Sequence, residues 1–124
     1  MPTYTPGQVA DKTGFSLDTL RYYERIGLLD DIARTSGGQR KFTDDDISWL
    51  GILRCLRDTG MPIATMRRYA DLSRDERTVA ERVALLEEHD LEVGRRIAEL
   101  QTQREHLRGK IRYYRSIDRS GARE

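Results

Sequence analysis

Ser16-Leu17-Asp18-Thr19-Leu20-Arg21-Tyr22-Tyr23-Glu24-Arg25-Ile26-Gly27-Leu28-Leu29 is the stretch on which the fold turns. Ser16 has the side chain of a helix N-cap, the run from Leu17 to Ile26 holds no glycine or proline, and Gly27 closes it. Leu17, Leu20 and Tyr23 supply an apolar face, and the remaining surface carries Thr19, Arg21, Tyr22 and Arg25. Just upstream, Thr5-Pro6-Gly7-Gln8 reads as another helix start, with Thr5 as cap, Pro6 at the first helical position and Gln8 three residues after the cap. Val9 and Ala10 line the apolar side of that first helix. Gly14 ends it in the left-handed conformation that glycine reaches most cheaply. Two short helices joined by a glycine turn, the second rich in Arg and Tyr, outline a helix-turn-helix.

Downstream, helical periodicity stops between Leu28 and Phe42, and Thr35-Ser36-Gly37-Gly38 marks a turn between two short extended segments, a small wing. Thr43 caps a third helix with Asp44, Asp45 and Asp46 in its first turn, where carboxylates complement the helix dipole. Gly60 stops that helix, and Met61-Pro62-Ile63 begins a fourth carrying Ile63, Met66, Tyr69, Ala70 and Leu72. Residues 75–118 differ in kind. Val79, Val83, Leu86, Val93, Ile97, Leu100, Leu107, Ile111 and Tyr114 alternate at spacings of three and four, with Asp90 and Arg104 in the two remaining seam positions. Such a helix is about 65 Å long and has one narrow apolar stripe to bury. The chain supplies no second long helix, so the expected partner is another copy. Asp90 and Arg104 suit an antiparallel pairing in which opposite charges meet. The architecture expected is mainly α: a winged helix-turn-helix head over 1–74, a coiled-coil dimerisation helix over 75–118, and a disordered tail over 119–124.

The 124 residues are 37% hydrophobic and 35% charged, too polar for a membrane protein. The start Met1-Pro2-Thr3-Tyr4-Thr5 has no basic region followed by an apolar one, which makes the cytoplasm the expected location. Cys55 is the single cysteine, so neither an internal disulfide nor a multi-thiolate zinc site is expected. A metal would rest on His89, His106 and carboxylates, and both histidines read as solvated positions outside the seam. No cofactor is expected. Lys plus Arg against Asp plus Glu stand at 11 to 10 over residues 1–74 and 11 to 11 over 75–124, so net charge says nothing about nucleic acid. A local cluster would have to carry any such contact. Arg21, Arg25, Arg34, Arg40 and Lys41 form one, opposed by Glu24, Asp30 and Asp31.

Three segments together carry a resemblance: Tyr4-Thr5-Pro6-Gly7-Gln8-Val9-Ala10, then Thr19 through Leu29, then Gly38-Gln39-Arg40-Lys41-Phe42. They closely resemble the MerR family of bacterial transcription regulators, nearly end to end over the head. Gln39 departs from the pattern, standing where an aromatic often precedes the wing arginine. The resemblance implies a homodimer joined by an antiparallel coiled coil and bound to a pseudo-palindromic site in double-stranded promoter DNA. It also implies activation by distorting an overlong promoter spacer so that RNA polymerase finds both of its elements aligned, a readout of DNA deformability. The side chains agree with it. Thr19, Arg21, Tyr22 and Arg25 present hydroxyl and guanidinium groups suited to bases and adjacent phosphates in a major groove, and Arg40 and Lys41 on the wing are placed to reach the flanking backbone. For Tyr23, core packing is the reading instead.

Leu53 through Ile63 resembles the third-helix segment of the MerR subgroup that responds to aldehydes and thiol-reactive electrophiles, which would make Cys55 the sensing residue. Read without the resemblance, Cys55 is a buried, inert space-filler near a helix C-terminus, where the dipole and Asp58 both disfavour a thiolate. Both readings stand at this point. Catalysis is not expected, since a Cys55 nucleophile would need a histidine base and both histidines lie on the long helix. Two further alternatives are an effector-independent architectural or excision-type DNA-binding protein, and a coiled-coil adaptor, the latter disfavoured by the basic second helix.

Overall fold

The computed structural model describes residues 2–121. Strand β1 (Thr3–Tyr4) leads into helices α1 (Pro6–Thr13) and α2 (Leu17–Arg25), followed by strands β2 (Ala33–Arg34) and β3 (Arg40–Thr43). Helices α3 (Asp44–Asp58) and α4 (Ile63–Ser73), a 3₁₀ turn at Glu76–Thr78 and the long helix α5 (Val79–Gly121) complete the chain. The caps read from sequence are formed. The Thr5 side chain accepts from the Gln8 amide while the Gln8 side chain accepts from the Thr5 amide. Ser16 Oγ accepts from the Thr19 amide at 3.1 Å. Thr43 and Asp46 make the same reciprocal pair at the start of α3, so each of these three helices has an orphan amide satisfied at its first turn.

The three strands form an antiparallel sheet in the order β1-β3-β2, with Tyr4 opposite Phe42 and Arg34 opposite Arg40. Strand β1 has no counterpart in the sequence reading. The core gathers Val9, Phe15, Leu20, Tyr23, Leu28, Leu29, Phe42, Leu50, Leu53, Leu56, Met61, Met66 and Ala70, so α1 to α4 and β3 all contribute to one apolar centre. Trp49 stacks on Tyr69 with ring centroids 5.4 Å apart and donates its indole N–H to the Leu28 carbonyl at 2.8 Å. This contact anchors the segment leaving α2 to α3.

The chain divides into two units, one ending at Leu85 and one beginning at Leu86. The first holds the whole buried core and extends past the boundary expected at residue 74. Helix α5 begins within the first unit and continues through the second, and none of its side chains is buried within the chain. Val79, Val83, Ile97, Leu100, Leu107, Ile111 and Tyr114 all lie exposed along it. The helix begins at Val79, after a 3₁₀ turn held by Asp75, whose carboxylate accepts from the Arg77 amide. It also continues past 118 to Gly121, so Arg119, Ser120 and Gly121 are helical rather than part of a disordered tail. Arg119 in the last turn complements the negative end of the dipole. The remainder of that expected tail, residues 122–124, lies outside the described residues.

Candidate nucleic-acid interface

Helix α2 turns Leu20 and Tyr23 into the core, where Tyr23 is 3% exposed and meets the Phe15 ring edge-on at 5.3 Å. Burial pushes the Tyr23 phenol above its ordinary range. The same helical period leaves Asp18, Arg21, Tyr22 and Arg25 exposed. Tyr22 is 40% exposed, and the Arg25 guanidinium lies over its ring at 5.4 Å. Stacking of this kind orders an exposed arginine without using its hydrogen-bond donors. Arg21 pairs with Asp18 at 3.4 Å on the same face, a contact that water screens. Thr19 is half-buried and its hydroxyl accepts from Ser16 Oγ, which ties it to the capping arrangement.

The wing is closed at its tip by the Thr35 amide donating to the Gln39 carbonyl and the Gly38 amide to the Thr35 carbonyl. Gly38 takes φ +87°, the left-handed position such a turn requires. Arg40 does not project freely from the strand. Its Nε donates to both oxygens of Glu24 at 2.9 and 3.1 Å, and its Nη2 lies 2.8 Å from Oε1. Arg34 approaches the same carboxylate at 3.6 Å and donates through Nη1 to the Gly38 carbonyl at 3.0 Å. The Arg40 hydrogen bond holds the Glu24 carboxyl below the usual carboxylate range. A groove of about 450 Å³ runs between the start of α1, α2 and the wing, and its lining brings Arg21, Arg34 and Arg40 together. Tyr22, Arg25 and Lys41 lie outside that lining, Lys41 being half-buried on β3 opposite Ala33 of β2.

Cys55 is exposed, which corrects the reading of a buried space-filler. Leu50, Leu53 and Leu56 define the buried side of α3, and at 3.6 residues per turn Cys55 falls about 200° from Leu53, on the opposite side. Its neighbours in sequence face the head. Arg54 donates to the Thr13 carbonyl at 2.7 Å and to Asp58 at 2.8 Å, and Arg54 and Arg57 both lie over the Phe15 ring. Asp58 is held below the usual carboxylate range, chiefly by the Arg54 hydrogen bond. Among the described residues no three His, Cys, Asp or Glu side chains come together as metal ligands, and no helix is long and apolar enough to cross a membrane.

Comparison with known families matches residues 4–73 to the MerR HTH family regulatory protein model and residues 47–110 to the MerR DNA-binding model. The chain belongs to the MerR family. An HTH-type transcriptional regulator of Haemophilus influenzae is 37% identical over 121 residues, covering 97% of this chain and 90% of that protein. The crystal structure of HiNmlR, a MerR family regulator lacking the sensor domain and bound to promoter DNA, superposes with a TM-score of 0.85. It is 38% identical and the match covers 93% of this chain and 92% of that one. A MerR family transcriptional regulator from Bacillus thuringiensis gives a TM-score of 0.80 at 29% identity, over 89% of this chain and 97% of that one. This MerR protein is therefore a DNA-binding transcription regulator. Glu24 and Arg34 were outside the DNA-contact set read from sequence. The signal for Arg34 was present in the basic cluster, whereas the role of Glu24 needs the pairing of α2 with the wing, which no local pattern encodes.

Proposed function

We propose that this MerR protein binds a pseudo-palindromic promoter site as a homodimer, with Thr19, Arg21, Tyr22 and Arg25 directed into a major groove and Arg40 and Lys41 against flanking phosphates. The convergence of Arg21, Arg34 and Arg40 on one groove beside the outward face of α2 carries this reading. The uncovered stripe of α5 supports the dimer: a helix of 43 residues with no buried side chain needs a partner, and a second α5 in antiparallel orientation supplies one. In this reading the dimer distorts the DNA between its half-sites so that RNA polymerase engages the promoter, in the cytoplasm where the chromosome lies. Cys55 serves as the sensing thiol for electrophile or redox stress, because its exposure on α3 lets a reagent reach it without unfolding.

The test uses DNA selected by the protein from a randomised pool and a scrambled control, with affinity read by fluorescence anisotropy across a salt series. Arg40→Ala should weaken both DNAs and reduce the salt slope by about one, while Arg21→Ala or Arg25→Ala should lower discrimination by about 1–3 kcal/mol. Unchanged binding by the Arg21→Ala, Arg40→Ala double variant would remove this surface as the DNA site.

A further inference from the structure

The wing presents an electrostatic problem that Glu24 solves. Arg34 and Arg40 are direct cross-strand partners in the β2–β3 ladder, and like charges placed opposite each other destabilise a sheet pair. Strand β2 is only two residues long and cannot hold the ribbon by itself. The carboxylate that relieves this repulsion comes from the last turn of α2, sixteen residues before Arg40 in sequence, and it engages the Nε edge of Arg40 with both oxygens. Both side chains are partly buried, Arg40 29% and Glu24 26% exposed, and the carboxylate meets the guanidinium through two nitrogens, so the geometry is better defined than that of a fully exposed ion pair. Arg40 Nη1 finds no acceptor among the described residues. The cluster of two guanidinium groups and one carboxylate thus keeps a net charge of one and shows a donor that can still take a phosphate oxygen.

We propose that Glu24 is a positioning residue for DNA discrimination: it locks the wing arginines to the recognition helix and cancels one of their two charges. This rests on the reading of α2 and the wing as the DNA face. Without the carboxylate the wing gains one unit of non-specific attraction and loses its fixed offset from α2. Base contacts by α2 depend on that offset, because phosphate contacts set the register in which a helix meets base edges. A carboxylate inside a DNA-binding cluster costs affinity, and what it returns is a larger gap between right and wrong sequences.

The experiment compares Glu24→Gln with the unaltered full chain on selected and scrambled DNA over a salt series. Glutamine keeps the shape and an acceptor oxygen and removes the charge. The expected result is a salt slope steeper by about one, roughly eightfold tighter binding to scrambled DNA at 0.1 M salt, and a lower ratio of selected to scrambled affinity. The Glu24→Gln, Arg34→Gln double variant returns the cluster to a net charge of one and removes the cross-strand repulsion. Its slope should return to that of the unaltered chain while the ratio stays low. An unchanged slope in Glu24→Gln, or equal weakening on both DNAs together with a lower melting temperature, would overturn the proposal and leave Glu24 as a support of the fold. If Arg21→Ala and Arg25→Ala also leave binding unchanged, the DNA lies elsewhere and the underlying reading has failed.

Discussion

Replacing Gly14 with alanine tests how the helix-turn-helix is attached to α3. Gly14 has φ +79°, and a Cβ built there would lie 2.2 Å from Arg54 Nη1. Arg54 cannot step aside without cost, because that same nitrogen donates to the Thr13 carbonyl at 2.7 Å. Placing alanine in the left-handed region costs about 1–2 kcal/mol, and loss of a hydrogen bond from a charged donor costs about 1.5–3 kcal/mol. The Arg54 side chain is 37% exposed, which favours the lower end of the second range. The expected loss is then roughly 3 kcal/mol, a drop of about 12–24 °C in melting temperature for a unit of this size. In an Arg54→Ala background the clash and the hydrogen bond are already gone, so Gly14→Ala should cost only the backbone portion, about 1.5 kcal/mol. Urea melts of the four proteins at one fixed protein concentration give the coupling directly. Equal costs of Gly14→Ala in both backgrounds would refute this coupling of Gly14 to the Arg54–Thr13 contact and reduce Gly14 to a backbone requirement.

Three further outcomes are expected. Ile97→Asp with Leu100→Asp on α5 should convert dimers to monomers in sedimentation and reduce helix content, and a monomer with undiminished helix signal would contradict pairing through this stripe. The Glu24 carboxyl is held below its ordinary value near 4.5, so its contribution to stability is complete above that value and fades as pH falls through the lowered one. The stability difference between the unaltered chain and Glu24→Gln should therefore be constant from about pH 5 to 8 and shrink below about pH 4, and a difference that changes between pH 6 and 8 would point to another group. Cys55→Ala should still dimerise and bind promoter DNA while losing induction by aldehydes or thiol oxidants in cells, and a normal response in that variant would make Cys55 irrelevant to sensing.

The legible parts of the fold are those fixed within one or two turns of chain. The Thr5–Gln8 box, the Ser16 cap and the Thr43 cap each use partners three residues apart, so the starts of α1, α2 and α3 follow from side-chain chemistry alone. The three-and-four spacing of α5 likewise needs no tertiary context. Strand β1 was hidden because its two residues acquire strand character only by pairing with Phe42 and Thr43, some forty residues away. The buried reading of Cys55 rests on its place near the C-terminus of α3 and on the general tendency of free cysteine to fill space, neither of which tells which side of the helix is buried. The buried side of α3 runs through Leu50, Leu53 and Leu56, which leaves Ile52 half-buried at its margin and Cys55 beyond it. Within the candidate site, the outward face of α2 was readable from period, whereas the engagement of Arg40 by Glu24 was not. An isolated acidic residue in a basic cluster looks like dilution until the wing folds back on α2.

The apolar core and the polar contacts do different work in setting α2. Leu20 and Tyr23 bury the inner face of the helix in the core, but burial is non-directional and tolerates small shifts of a helix along its axis. Two polar contacts remove that freedom. Arg54 grips the end of α1 at Thr13, immediately before the turn into α2, and Glu24 grips the wing from the last turn of α2. Each acts at one end of the segment whose outward side chains are Arg21, Tyr22 and Arg25, and each has a narrow range of workable geometry. A shift of α3 reaches the start of α2 through Arg54, while a shift of the wing reaches its end through Glu24. Cys55 lies on the exposed side of α3, away from the face that carries Leu50, Leu53 and Leu56. A shift of α3 reaches both ends of α2, through the Arg54–Thr13 contact before its start and the Trp49–Leu28 contact after its end.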